Sequence, residues 1–146
     1  MTRTSLNGLH CSLARTADLI GDKWTLVILR DAFYGVRSFS AFQTRLGLAK
    51  SVLSDRLQKL VDGNILKRTR VRQGVARYEY QLTPAGLELF PLIVGLVQWG
   101  DRNIFGVGQE PMAILDRTSG QPIRDLSVQS NSGQTLSARE VTLQLK

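Results

Sequence analysis

The residues best suited to chemistry in this sequence are cations that lie close together. Residues 45–77 contain nine Lys or Arg residues and two acids, a local net charge of +7. The whole chain of 146 residues also has a net charge of +7, so the remainder is neutral overall. Positive charge concentrated in one segment is typical of a surface that binds a polyanion. The sequence therefore favours nucleic acid as the partner.

Few of the side chains that build catalytic or metal centres are present. The chain has one histidine, His10, and one cysteine, Cys11. A single cysteine cannot form an intrachain disulfide or supply the thiolates of a zinc site. The sequence also lacks a phosphate-binding glycine loop and a nucleophile–base pair at a recognised spacing. We therefore expect no catalytic residues, no metal and no cofactor, and an enzyme is disfavoured.

Two short helices must position part of the positive charge. Residues 40–47 and 51–63 predict amphipathic helices joined by a tight turn, which is the helix-turn-helix pattern. On the second helix, Leu53, Leu57 and Leu60 share an inward face, and the rest of the helix carries polar groups. Ser and Gln can hydrogen-bond to base edges, Lys suits a phosphate or a guanine, and Arg56 suits the DNA backbone. The candidate DNA-binding residues here are Lys50, Ser51, Ser54, Asp55, Arg56, Gln58 and Lys59. A solvated helix face is the alternative.

A basic hairpin follows directly. Residues 65–71 and 76–82 alternate in the manner of strands, with Gln73 and Gly74 at the turn. An exposed strand face normally carries charges of both signs, whereas the first acid of this hairpin is Glu79, which follows five cations. The candidate wing residues are Arg68, Arg70, Arg72, Gln73 and Arg77. A helix-turn-helix followed by such a hairpin is a winged helix, whose helix enters the major groove while its wing contacts phosphates or the minor groove.

The segments before the helix-turn-helix predict two further helices. Ser12 is the expected N-cap of a helix over 13–20, and Asp22 that of a helix that ends near Gly35. We expect Phe39 in a short strand and Ser40 as the N-cap of the next helix.

A long helix is predicted over residues 84–105, with Thr83 as its N-cap and a kink at Pro91. Apolar residues cover nearly its whole circumference, so it must be buried on two sides. A small domain covers one side only, which favours a symmetric homodimer as the cover for the other. The expected interface residues on this helix are Leu92, Ile93, Leu96 and Trp99.

The tail, residues 107–146, has balanced charge and no helical periodicity. Residues 112–115, 123–128 and 141–145 predict short strands, with turns at 118–120 and 131–133. The tail could contribute to a dimer interface, pack on the winged helix or line a small-molecule pocket, and disorder is a further alternative.

Several motifs resemble those of the HxlR-type winged-helix transcriptional regulators, which are relatives of the MarR group. The resemblance covers about residues 9–105 and includes Cys11, the Gly-Asp-Lys-Trp-Thr sequence at 21–25, Leu53-Ser54, Arg56-Leu57 and the segment 80–86. It implies a dimeric, site-specific DNA-binding protein whose first and last helices form the interface, which adds Leu13 to the interface residues. Ala49 departs from the family, which usually has a Ser at this position that caps the recognition helix. Loss of this cap lowers the stability of the helix by about 1 kcal/mol.

The resemblance also implies a possible role for Cys11. In some members the N-terminal cysteine senses oxidants or electrophiles, and here Arg15 or the adjacent helix N-terminus would favour its thiolate. The alternative is a buried cysteine that acts as a small hydrophobic residue.

Together these features predict an α+β fold: a winged helix-turn-helix domain with a long C-terminal dimerisation helix over residues 1–106, and a small β-rich extension over 107–146. The expected function is that of a sequence-specific transcriptional regulator, in the first instance a repressor. It would bind a pseudo-palindromic operator in double-stranded DNA as a homodimer, with an oxidant, an electrophile or another small molecule as effector. The alternative is a winged-helix architectural or protein-interaction module without an effector. With no hydrophobic targeting segment, we expect a cytoplasmic protein without membrane contact.

Overall fold

The structure is a computed structural model that describes residues 4–74 and 77–146. The chain forms two compact units. The first, here the N-terminal unit, ends at Ile93, and the second, here the C-terminal unit, comprises Val94–Lys146. Among the described residues, no helix combines the length and the apolar character needed to cross a membrane.

Four helices begin the N-terminal unit: α1 (Ser12–Ile20), α2 (Lys23–Phe33), α3 (Phe39–Leu46) and α4 (Lys50–Asp62). Asp22 caps α2 as predicted, because its side chain accepts hydrogen bonds from the backbone N–H groups of Trp24 and Thr25. Ser12, predicted as the first cap, is instead the first residue of α1. The N-cap is Cys11, and it makes no side-chain capping hydrogen bond.

The cap of α3 lies two residues before its predicted position. Ser38, not Ser40, accepts a hydrogen bond from the backbone N–H of Ala41, at 3.2 Å. Phe39 is consequently helical, and the short strand predicted for it is absent. The extended residue is Ser38, which forms an isolated β-bridge with Glu79.

The core of the N-terminal unit holds α4 with its apolar face inward. The fully buried residues come from several elements and include Ile28, Leu29, Phe42, Leu53, Leu57 and Leu60. Burial of one such side chain contributes roughly 1.5–3 kcal/mol relative to exposure. Three of these residues belong to α4, so the orientation of that helix is strongly determined.

The wing consists of β1 (Leu66–Arg70) and β2 (Tyr78–Leu82), which pair antiparallel. The predicted start of the second strand at Ala76 lies outside the described residues. The main chain also attaches β2 to the segment before α3, because the N–H of Tyr80 donates to the carbonyl of Arg37 at 2.8 Å. The wing and the helix-turn-helix are thus fixed to each other through main-chain bonds.

The single helix predicted over 84–105 is divided into three parts. These are α5 (Pro84–Leu87), α6 (Phe90–Gly100) and a π-helical turn (Asp101–Phe105). Thr83 caps α5 as predicted, accepting a hydrogen bond from the N–H of Gly86 at 3.0 Å. The chain breaks before Pro91 and does not merely kink there, because proline lacks an N–H and its ring clashes with the carbonyl four residues earlier.

Short elements and turns form the rest of the C-terminal unit. A two-stranded antiparallel sheet pairs β3 (Val128–Gln129) with β4 (Thr135–Leu136), and a 3₁₀ turn follows (Ala138–Glu140). Residues 112–128 contribute only an isolated bridge between Leu115 and Pro122 before β3 begins. The strand predicted over 141–145 is wrong: residues 141–146 have no regular structure and are exposed. Alternating apolar residues do not form a strand without a neighbouring strand to pair with.

Candidate nucleic-acid interface

The turn of the helix-turn-helix consists of the three residues between α3 and α4. Gly47 ends α3 with a φ of 64°, in the left-handed region that glycine adopts without strain. Leu48 is buried, and the Gln43 side chain donates a hydrogen bond to its carbonyl at 3.2 Å. This burial and this bond hold the turn in one conformation, which sets the direction of α4.

The outer face of α4 presents a row of polar side chains. The predicted contact residues that are exposed along this helix are Lys50, Ser51, Ser54, Asp55 and Gln58. The Gln58 carboxamide donates to Asp62 at 2.8 Å. Hydroxyl and carboxamide groups can both donate and accept hydrogen bonds, so this face has the chemistry needed to read base edges.

Arg56 and Lys59, two of the predicted DNA contacts, bind other parts of the protein. Arg56 Nε donates to Asp22 Oδ1 at 3.1 Å, and its Nη1 donates to Asp55 Oδ2 at 2.6 Å. Lys59 Nζ donates to the backbone carbonyl of Asp18 at 2.6 Å. These bonds tie α4 to α1 and to the start of α2, so both side chains position the helix.

Asp22 connects the N-terminus of α2 with α4. Besides capping α2, its carboxylate accepts hydrogen bonds from the Thr25 hydroxyl and from Arg56. Burial raises the pKa of this carboxyl, but the bonds from Thr25 and Arg56 outweigh burial and leave the pKa below its ordinary value. Asp22 is therefore ionised at neutral pH. The cap is visible in the sequence, whereas the bond to Arg56 spans 34 positions and has no local signal.

On the wing, two arginines pack against one tyrosine. The guanidinium carbons of Arg68 and Arg70 lie 4.5 and 5.7 Å from the centre of the Tyr78 ring. The hydrogen bond from Arg70 and the positive charges of both arginines lower the pKa of Tyr78. Cation–π contact restricts the arginines to one side of the hairpin without neutralising them. Arg72 and Gln73, at the tip, are exposed.

A pocket of about 350 Å³ lies where the wing meets the beginning of α3. Arg77, Ser38 and Ser40 line it together with Tyr78 and Tyr80. The sequence identified Arg77 as a wing residue but not Ser38 and Ser40, which lie 39 and 37 positions before it. It gave no DNA-binding role to Tyr78 and Tyr80, although they are only one and three positions away. Hydroxyl groups beside a guanidinium can hold a phosphate oxygen. The available signal in the sequence was Ser40, the predicted N-cap of the helix.

Arg45 belongs to the cationic segment in the sequence but forms an internal ion pair. Asp31 is fully buried, and its carboxylate is 3.1 Å from Arg45 Nε and 2.9 Å from Arg30 Nη2. Hydrogen bonding to Asp31 raises the pKa of Arg45. The ion pair joins α3 to α2. Because Asp31 lies outside residues 45–77, it offsets the charge of Arg45, one of the nine cations counted in that segment.

Large apolar side chains are exposed on two helices. Leu13 of α1 has 77% of its surface exposed, and on α6 the values are 42% for Leu92, 48% for Leu96 and 57% for Trp99. The spacing of the three α6 residues places them on one side of the helix. Ile93, predicted for the same interface, lies instead in the core of the N-terminal unit, where burial removes it from any partner.

Cys11 is an exposed free cysteine at the N-cap of α1, not the buried residue of the alternative interpretation. Across residues 4–74 and 77–146, no cluster of three or more His, Cys, Asp or Glu side chains is arranged to hold a metal ion.

Comparisons with known proteins agree with this geometry. A family model described as HxlR-like helix-turn-helix matches residues 19–106. An HTH-type transcriptional regulator of Mycobacterium tuberculosis, itself uncharacterised, is 37% identical over 131 residues, which cover 90% of this chain and 83% of the relative. The crystal structure of PA1607, described as a transcription factor, superposes with a TM-score of 0.90 at 37% identity, covering 98% of this chain and 100% of that one. The reduced form of the redox regulator HypR has a TM-score of 0.59 at 26% identity, covering 64% of this chain and 96% of that one.

Proposed function

Because the chain belongs to the HxlR-like helix-turn-helix family, whose model matches well over half of its length, we propose that it represses transcription as a homodimer on a pseudo-palindromic operator. It is a helix-turn-helix transcriptional regulator with a winged-helix fold, and its relatives are regulators rather than enzymes. The specific site, the dimer and the signal are the parts that we propose.

The observation that carries the DNA-binding site is the main-chain attachment of the wing to the helix-turn-helix. The polar face of α4 offers Ser51, Ser54 and Gln58 to base edges, while the wing offers Arg70 and Arg72 to phosphates. Arg56 and Lys59 hold α4 at a set orientation through their internal bonds. The site therefore separates base-reading groups from groups that bind the DNA backbone.

Dimer formation is supported by the exposed apolar residues. Leu92, Leu96 and Trp99 form a stripe on α6, and an exposed stripe of this kind marks a protein–protein contact. A two-fold interface through this stripe gives two copies of α4, which contact successive major grooves if they lie about 34 Å apart. The operator is then an inverted repeat, and repression follows when it overlaps a promoter.

For the signal, we propose that modification of Cys11 by an oxidant or an electrophile weakens operator binding. Cys11 is exposed and lies two residues before Leu13, which we place in the dimer interface. A change at the start of α1 can then alter the dimer geometry and the spacing of the two α4 helices. The name of HypR, a redox regulator, is consistent with such a mechanism in a related fold. Operator release by oxidant or electrophile that persists in Cys11→Ser would end this part of the proposal.

Footprinting on the DNA that flanks the protein's own gene tests the proposed site. We expect protection of an inverted repeat, and altered base preference in Ser54→Ala and Gln58→Ala. Uniform, strongly salt-dependent protection without a preferred sequence would favour the architectural module instead.

A further inference from the structure

A pocket of about 400 Å³ lies within the C-terminal unit, along one side of α6. Val97 and Asp101 line it from the helix and the π-helical turn, and Ile114 and Ile123 line it from the chain that follows. Pockets that bind small molecules generally have volumes of about 300–1,000 Å³ and combine apolar walls with a few polar groups. The pocket is therefore of a size suited to a small organic ligand.

Defined hydrogen bonds hold the walls of this pocket. The N–H of Ile123 donates to the carbonyl of Ile114 at 3.0 Å, which places these two side chains next to each other. The Gln98 carboxamide donates to the carbonyl of Arg124 at 3.0 Å and accepts from the N–H of Leu126 at 2.7 Å. Gln98 thus attaches the backbone of residues 124–126 to α6, and this attachment fixes one wall of the pocket relative to the helix.

The charged residues that line the pocket are all acids, namely Asp101, Glu110 and Asp125. They are three of the five acids in a unit that also has five cations. Asp125 Oδ2 lies 3.5 Å from Arg102 Nη1, and this cation partly neutralises it. The carboxyl of Glu110 accepts hydrogen bonds from the backbone N–H groups of Glu110 and Gly108, which lower its pKa, so Glu110 is ionised at neutral pH.

We propose that this pocket binds a small amphipathic organic cation. An aromatic or aliphatic body would pack against Val97, Ile114 and Ile123, and a protonated amine or similar group would face Asp101 and Glu110. In a chain of net charge +7, long-range attraction favours anions, so a preference for cations must come from these local carboxylates.

The location of the pocket also suggests how a ligand acts, and this step rests on the proposed homodimer. At 100° per residue, Val97 lies about 130° around α6 from the centre of the stripe formed by Leu92, Leu96 and Trp99, which we place in the dimer interface, so the pocket and the stripe lie on different sides of this helix. A ligand that contacts one side of this short helix can favour one packing of the other side. Occupancy then shifts the dimer geometry and, through it, the affinity for the operator.

A matched pair of probes tests binding with the unmodified full chain. We expect 2-naphthylmethylammonium to bind at least about tenfold more tightly than 2-naphthoate, which has a similar shape and the opposite charge, as measured by calorimetric titration. The double variant Asp101→Asn/Glu110→Gln should remove this preference, whereas Glu79→Gln/Glu88→Gln, which removes two negative charges from the N-terminal unit, should retain it. Equal binding of both probes, stronger binding of the naphthoate, or an unchanged preference in the double variant would overturn the proposed site.

The regulatory step has its own measurement. The ammonium probe should change operator affinity by about threefold or more in the wild type and leave that of the double variant unchanged. Probe binding without any change in operator affinity would contradict the coupling and leave the DNA-binding function intact. Failure of the protein to bind any operator, with the probe still bound, would instead contradict the proposed function.

Discussion

The two units of this chain differ most clearly in charge. The sequence up to Ile93 has fourteen cations and seven acids, whereas Val94–Lys146 has five of each. Excess positive charge serves binding to a polyanion, and it would oppose the binding of a cationic ligand. Acidic side chains in the neutral C-terminal unit can therefore attract a cationic ligand with less opposition from surrounding positive charge than they would meet in the N-terminal unit.

The units also differ in how they are held together. The N-terminal unit has a core in which several side chains are completely buried. In Val94–Lys146, all of which the structure describes, Val94 is the only buried residue, and hydrogen bonds and turns define the rest. Regions with few buried apolar contacts open at lower free energy than a packed core. The N-terminal unit should therefore be the more rigid of the two, which suits the proposed DNA contacts, and the C-terminal unit should open at lower free energy, which suits the proposed ligand response.

The largest effect is expected from a charge on the exposed stripe of α6. In Leu96→Glu, each subunit would have to bury a carboxylate at the two-fold contact, so the dimer should dissociate. Loss of the second half-site should weaken operator binding by roughly 100-fold or more. Sedimentation and gel-shift titration measure the two quantities. Val128→Glu, which replaces another exposed apolar residue of the same unit, is the matched control. A dimeric Leu96→Glu protein would show that the stripe is not the interface.

A second test asks whether DNA affinity belongs to the basic unit alone. Arg70→Ala/Arg72→Ala removes two cations of the wing and should weaken binding to every duplex by roughly 30-fold near 0.15 M salt, because two counterion-release contacts are lost. The slope of log affinity against log salt should decrease in magnitude by about two. Arg117→Ala/Arg139→Ala removes the same charge from the C-terminal unit and should leave the slope unchanged. If the two double variants decrease the magnitude of the salt slope equally, net charge rather than the wing determines binding.

Much of the fold could be predicted because the signals are local. The Asp22 cap, the leucine face of α4 and the antiparallel wing each follow from residue types within a few positions of one another. The break before Pro91 was predicted only as a kink, since proline shows that a helix is disturbed but not how far neighbouring packing separates its parts. The strand over 141–145 failed because alternation does not reveal whether a partner strand exists.

The candidate site was only partly predictable for a related reason. Helical periodicity identifies the face on which Ser54 and Gln58 lie, but it does not reveal which cations find acids elsewhere in the fold. Arg56 pairs with Asp22, and Arg45 with the buried Asp31. These pairs join positions far apart in the sequence, so a count of local charge overestimates how many cations are left for DNA.

The buried carboxylate of Asp31 allows a direct test of the difference in packing. Asp31→Ala removes charge-assisted bonds to Arg30 and Arg45, and it should lower the free energy of unfolding by about 2 kcal/mol in urea denaturation. Asp125→Ala in the C-terminal unit removes a carboxylate that is 75% exposed, and it should change stability by less than about 0.5 kcal/mol. Equal losses would contradict the view that ordered polar contacts matter more in the N-terminal unit.

The smallest expected effect concerns the start of α4. Ala49 occupies the N-cap with extended backbone angles, φ of −60° and ψ of 142°, and makes no side-chain hydrogen bond. A serine hydroxyl at this position can accept a bond from an N–H of the first turn, so Ala49→Ser should stabilise the protein by about 1 kcal/mol. Ala113→Ser makes the same change at an exposed position of the C-terminal unit and should remain within about 0.5 kcal/mol of the wild type. If Ala49→Ser gives no gain in the midpoint of urea unfolding, another group already satisfies the first turn of α4.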